Sequence, residues 1–131
     1  RDTGRLHASA GMYYPPGGMA SEFCDEVKPL DGELILNKTC SGIVTGTPID
    51  RILRNLGVKS VIVTGFYTDQ CVSTSIRDLS DAGYEVDMIE DAMTAMSQER
   101  HDKALQSTKF IYANCEKTQQ LLERMEELKA E

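Results

Sequence analysis

No stretch of this sequence approaches the roughly 18–20 consecutive apolar residues of a membrane span. Nor does a basic segment lead into an apolar one in the way that marks a secretory signal. These absences predict a cytoplasmic protein with no membrane partner. Positive charge is in deficit, with 14 Lys and Arg against 21 Asp and Glu and a net charge of −7. That balance argues against a nucleic-acid partner. The cysteines, Cys24, Cys40, Cys71 and Cys115, show no C-x-x-C spacing and no nearby His pair. The pattern predicts reduced thiols rather than a zinc site or a disulfide frame. Internal repeats and low-complexity segments are absent as well. What is there is 131 residues, 40% hydrophobic and 27% charged, enough for one globular domain with one core.

The stretch from Val61 to Asp81 organises the rest. Val61, Ile62 and Val63 are three β-branched residues in a row, as in a parallel strand buried on both faces. Thr64 and Gly65 end that strand. Thr68 and Asp69 offer side-chain oxygens to cap a helix. Val72, Ile76 and Leu79 then recur at i, i+4 and i+7, one apolar face. Gly83 is placed to close the helix in the left-handed position. Cys71 therefore falls in the first turn of a helix, just beyond the C-terminal end of a central strand. Open α/β sheets bind ligands at that edge. A helix N-terminus favours a thiolate over a thiol, since its free N–H groups stabilise negative charge. The competing reading of Cys71 is a small core hydrophobe.

Residues 1–21 lack apolar periodicity, and Tyr13-Tyr14-Pro15-Pro16-Gly17-Gly18 is turn chemistry, so this segment reads as a loop or lid, with a disordered terminus as the competing reading. Ser21 to Val27 is expected as a short helix capped by Ser21. Leu34-Ile35-Leu36 is expected as a buried strand ending at Asn37-Lys38, which would put Lys38 at the same sheet edge as Cys71. Thr47-Pro48-Ile49-Asp50 is a helix start. Ile49, Ile52, Leu53 and Leu56 are the expected buried face, and Gly57 the stop. Tyr84 to Ile89 is expected as a strand, with a turn at Glu90-Asp91-Ala92 that Asp91 caps. Ser97 caps a helix burying Ala104 and Leu105. Phe110 to Ala113 is expected as a fourth strand, followed by a tail helix with Leu121, Leu122, Met125 and Leu128 as its apolar stripe. Strands alternate with helices. The fold class is α/β, a three-layer α/β/α sandwich with a mainly parallel sheet and Rossmann-like topology.

The segment Val63-Thr64-Gly65-Phe66-Tyr67-Thr68-Asp69-Gln70-Cys71-Val72, followed by Arg77-Asp78, Gly83-Tyr84 and Asp91-Ala92, resembles the isochorismatase-like cysteine hydrolases. That family includes N-carbamoylsarcosine amidase, nicotinamidase, ureidoacrylate amidase and biuret hydrolase. The run from Asn37-Lys38 through Gly46-Thr47-Pro48 resembles its lysine segment, with Val44 where the family carries Phe. The resemblance runs from about Leu30 to the end of the tail. It implies a Cys–Asp–Lys triad, with Cys71 as nucleophile and Lys38 as the lysine. The aspartate normally ends an apolar first strand, and no such stretch stands in residues 1–37. Asp2 and Asp25 sit in no matching context. With Arg1 rather than Met at its start, the chain is expected to be a single domain, 1–131, incomplete at its N-terminus. The resemblance also implies a cis peptide between Phe66 and Tyr67, and an oxyanion hole of the Tyr67 and Cys71 N–H groups.

The expected activity is hydrolysis of a carbon–nitrogen bond in a small amide, carbamoyl or ureide substrate, through a cysteine acyl-enzyme. Family members that cleave the vinyl ether of isochorismate lack the cysteine. Nicotinamidases carry a metal held by Asp and clustered His residues. His7 and His101 form no such cluster, so no metal and no other cofactor are expected. A homo-oligomer is the expected assembly. The alternative is a catalytically silent interaction or scaffold protein that keeps the fold. A flavodoxin-like or response-regulator-like domain would need a phosphate loop or paired acids at strand ends, and neither is present.

Overall fold

The computed structural model describes residues 14–130, in two compact units divided between Cys40 and Ser41. In the first unit, 3-10 turns span Met19–Ser21 and Asp25–Val27. The expected helix from Ser21 to Val27 does not form. The Ser21 hydroxyl instead donates to the Pro15 and Gly18 carbonyls, each at 2.8 Å, and closes the preceding turn. Three-residue turns are too short to bury a face, and Phe23 and Val27 are exposed. Leu34-Ile35-Leu36 is not a strand either. A strand exists by pairing, and these residues join no ladder among the described ones; Leu34 and Ile35 are exposed. Residues 1–13 of the expected loop, with His7 and Asp2, lie outside the described residues.

The second unit carries the α/β architecture. It runs through α1 (Ile43–Gly46), α2 (Ile49–Asn55), β1 (Ser60–Phe66), a π-helical turn (Thr68–Val72), α3 (Ser73–Asp81), β2 (Glu85–Thr94), α4 (Gln98–Thr108), β3 (Asn114–Glu116) and α5 (Thr118–Ala130). The three strands are parallel in the order β1-β2-β3. Parallel neighbours require a crossover, and α3 and α4 supply the two. β1 and β2 are in register from Ser60↔Glu85 to Val63↔Met88. A bulge between Val63 and Gly65, where Gly65 takes φ 114°, then resets the pairing to Gly65↔Met93.

Among the described residues, β2 is the central strand of the sheet. Val86, Asp87, Met88 and Ile89 are buried in succession, so both faces of β2 are covered. β1 alternates exposed and half-buried residues, and among the described residues it pairs with β2 alone. Val61-Ile62-Val63 therefore reads as an edge strand here, with Val61 and Val63 packed inward. On one face of β2, Val86 and Met88 pack with Val72, Ile76 and Leu79 of the π turn and α3 and with Leu105 of α4. On the other face, Asp87 Oδ2 accepts from Arg124 of α5 at 2.7 Å, and Asp87 Oδ1 from Asn114 Nδ2 at 3.0 Å. Helices thus cover both sides of the sheet. No described helix is long and apolar enough to cross a membrane.

Local signals mostly hold in this unit. Thr47 Oγ1 accepts from the Ile49 N–H at the start of α2. Ser97 Oγ accepts from Arg100 N at the start of α4, where Ala104 and Leu105 face inward. Gly83 takes φ 93° after α3. Leu56 departs from expectation: it lies past the end of α2 and is 72% exposed. The expected turn at Glu90-Asp91-Ala92 is also absent, because β2 continues through Thr94. Asp91 caps a distant element instead: its Oδ1 accepts from both the N–H and the hydroxyl of Thr118, each at 2.8 Å, at the start of α5. The expected strand at 110–113 is a turn, with Phe110 at φ 78° and 98% exposed, and the pairing shifts to Asn114–Glu116. Of the tail stripe, Leu121 is half-buried and Leu122, Met125 and Leu128 are exposed.

Two outcomes follow for stability. Ile76 is 1% exposed at the centre of the core, so Ile76→Ala should cost about 2–5 kcal/mol in denaturant unfolding, while Leu56→Ala stays within about 0.5 kcal/mol. The hydrogen bonds from Thr118 hold the Asp91 carboxyl below its ordinary value of 3.8. A lowered carboxyl stabilises the fold above the unfolded value and loses that contribution as pH falls through the folded one. Asp91→Ala should therefore be less stable than the parent at neutral pH, and thermal melts of the two should converge as pH drops below about 3.8.

Candidate active site

The turn that joins β1 to α3 gathers Phe66, Tyr67 and Cys71 at the C-terminal edge of the sheet. β1 ends at Phe66, and the Phe66–Tyr67 peptide is cis. The Tyr67 carbonyl then accepts from the N–H groups of Gln70 and Val72, at 3.0 and 3.2 Å. Thr68 to Val72 is a single wide turn of π-helix. Gln70 leaves helical geometry within it, at φ −130° and ψ −106°. Its carbonyl accepts from the hydroxyls of Ser73 and Thr74, at 3.1 and 2.8 Å, at the start of α3. Single π turns of this kind recur at functional sites.

Cys71 thus sits one turn before the α-helix rather than inside its first turn. Its Sγ is half-buried and donates to the Phe66 carbonyl at 3.2 Å. The next residue, Val72, is buried in the core and pins the turn to the sheet. Cys115 has a different setting. Burial, together with a hydrogen bond to Glu90, pushes its thiol above the usual value.

The side chains between Tyr67 and Cys71 are held from α4. Thr68 Oγ1 and His101 Nδ1 are hydrogen bonded at 2.8 Å, both buried. Asp69 Oδ2 accepts from Arg100 Nε at 2.5 Å, with Arg100 half-exposed and the Asp69 carboxylate largely covered. Asp69 Oδ1 is buried and has no hydrogen-bond partner. Further along α3, Ser75 Oγ donates to the Ser41 carbonyl at 3.4 Å. The Asp78 carboxylate lies so close to Gly42 that a Cβ there would stand 2.0 Å from Oδ2. Ser41 and Gly42 are therefore seated on α3.

Lys38 belongs to the first unit, outside any helix or strand, and its Nζ donates to the Cys40 carbonyl at 2.9 Å. Asp25 is ion-paired with Lys28 in the same unit. Among the described residues, no three His, Cys, Asp or Glu side chains gather as a metal-holding group. Sequence reasoning set His101 aside for forming no cluster and passed over Arg100. The sheet-edge rule could have found both. α4 starts two residues beyond the Met96 that follows β2, so its first residues stand at the same edge as Cys71.

Residues 9–120 match the family model described as the isochorismatase domain. The isochorismatase family protein YwoC of Bacillus subtilis is 30% identical over 109 residues, 83% of this chain and 56% of that protein. The ureidoacrylate amidohydrolase RutB of Variovorax paradoxus is 36% identical over 84 residues, 63% of this chain and 33% of that protein. The crystal structure of N-carbamoylsarcosine amidase from Thermoplasma acidophilum superposes with a TM-score of 0.75 at 26% identity, over 89% of this chain and 66% of that one. The chain spans little more than half the length of the first of these relatives. With the family model matching residues 9–120, most of its length, the chain belongs to the isochorismatase family.

Proposed function

We propose that this chain carries the nucleophile of a hydrolase that cleaves the carbon–nitrogen bond of a small amide, carbamoyl or ureide substrate. The observation that supports this most is the placement of Cys71: a half-buried thiol in a wide turn at the C-terminal edge of a parallel sheet. The substrate class rests on likeness to the ureidoacrylate amidohydrolase and the N-carbamoylsarcosine amidase. The reaction divides into two steps. Cys71 Sγ adds to the substrate carbonyl carbon, the carbon–nitrogen bond breaks, and the thiol proton leaves with the amine. Water then attacks the thioester, releases the acid and returns the proton to Sγ.

The N–H groups of Tyr67 and Cys71 are the proposed donors to the oxygen that becomes negative in the tetrahedral intermediate. Donors preorganised in this way are worth about 10²–10³ in rate. Lys38 is proposed to face the same site, where its ammonium would favour the thiolate. A carboxylate carries the proton between thiol and amine in this reading. The substrate is a small molecule, and the assembly proposed is a homo-oligomer.

Iodoacetamide at neutral pH should alkylate Cys71 faster than Cys24, Cys40 or Cys115, read by peptide mass. Equal rates at all four would remove Cys71 from the site. Cys71→Ser should abolish hydrolysis of a small ureide to within the background, since a serine hydroxyl is barely ionised at that pH. Lys38→Met keeps much of the side-chain length and deletes the charge. It should lower turnover by orders of magnitude and slow alkylation of Cys71. A variant matching the parent in both assays would place Lys38 on the surface.

A further inference from the structure

We propose that Arg100 and His101 of α4 are positioning residues that act as a two-point clamp on the turn carrying Cys71. The clamp would set where the thiol stands, independently of the stability of the fold as a whole. It rests on the reading of Cys71 as nucleophile for its consequence, but not for its geometry.

The wide turn needs outside support. It is a single turn, closed by the Tyr67 carbonyl at its start and by the Ser73 N–H on the Thr68 and Gln70 carbonyls at its end, and Gln70 departs from helical angles in the middle. A single turn broken by a non-helical residue opens more readily than the regular α-helix after it. The two residues that begin it are tied to two successive residues of α4. Thr68, 2% exposed, is bonded to His101, 9% exposed. Asp69 is bonded to Arg100.

These anchors differ in kind and reinforce each other. The Thr68–His101 bond joins two buried polar groups, and each would be left unsatisfied without the other. The Asp69–Arg100 bond is charge-assisted and shorter. Asp69 Oδ1 is buried with no partner, so the carboxylate depends on Arg100 at its other oxygen. The holder is itself fixed, because Ser97 Oγ accepts the Arg100 N–H and sets the first turn of α4. Val72 closes the far end of the turn by burial in the core. Cys71 lies between the clamped residues and that anchor, with its Sγ held on the Phe66 carbonyl.

The test uses amide hydrogen exchange together with alkylation by iodoacetamide, on the full chain. Thr68→Val removes a hydroxyl at nearly constant shape, and Arg100→Gln removes the charge. Thr68→Ser and Arg100→Lys keep the bonding group. In Thr68→Val and Arg100→Gln, exchange at the amides of Gln70 and Val72 should rise about tenfold, while amides of β2 from Val86 to Ile89 keep their parental rates. Alkylation of Cys71 should fall severalfold relative to Cys115, and the Ser and Lys variants should restore most of both effects. Unchanged exchange at Gln70 and Val72 would overturn the clamp. So would equal acceleration in the turn and in β2, which is the mark of a purely structural role, or failure of both conservative variants to rescue. If the parent shows no preference for alkylation at Cys71, the nucleophile assignment fails while the exchange data still decide the clamp.

Discussion

The parallel pairing of β1 with β2 is the constraint from which the rest of this unit follows. Two neighbouring strands that run the same way cannot be joined by a tight turn. The chain must leave the end of β1, cross the sheet as a helix and return to the start of β2. The crossover helix α3 stays on the sheet because Val72, Ile76 and Leu79 are buried against Val86 and Met88. That packing leaves the few residues between Phe66 and Ser73 to make the whole change of direction. They do so in a wide turn at the sheet's C-terminal edge, and Cys71 is one of them. The placement of the thiol is a consequence of topology before it is a matter of chemistry.

The same edge explains why residues distant in sequence meet there. α4 also begins just beyond the end of a strand, so Arg100 and His101 arrive beside Thr68 and Asp69. Ser41 and Gly42 arrive by another route, seated on the flank of α3 by Ser75 and Asp78. Gly42 accepts this because it has no Cβ to meet the Asp78 carboxylate. In the reading proposed for the reaction, the thiol, the donors to the oxyanion and the residues that hold them all depend on this one edge.

Much of this was legible in the sequence because it is encoded locally. The i, i+4, i+7 spacing of Val72, Ile76 and Leu79, the Ser97 cap and the left-handed Gly83 each act within one or two turns of helix. Strand placement was less legible, because a strand is defined by its neighbours. The apolar run at Leu34–Leu36 finds no partner among the described residues, and Phe110–Ala113 yields its pairing to Asn114–Glu116 once Phe110 takes a positive φ. The length of β2 was hidden for the same reason. Asp91 has the chemistry of a local turn but satisfies α5, 27 residues away. The candidate site divides the same way. Cys71 and the Phe66–Tyr67 peptide lie in one contiguous motif, whereas the Arg100 and His101 contacts exist only after the sheet has formed.

The central claim is that Cys71 forms the covalent intermediate. Rapid acid quenching during turnover of a small ureide, followed by peptide mass analysis, tests it directly. The account predicts an acyl adduct on the peptide containing Cys71 that appears within the first turnover and decays as substrate is exhausted. Hydrolysis that proceeds with no adduct on that peptide at any quench time, or with the adduct on Cys24, Cys40 or Cys115, would contradict it.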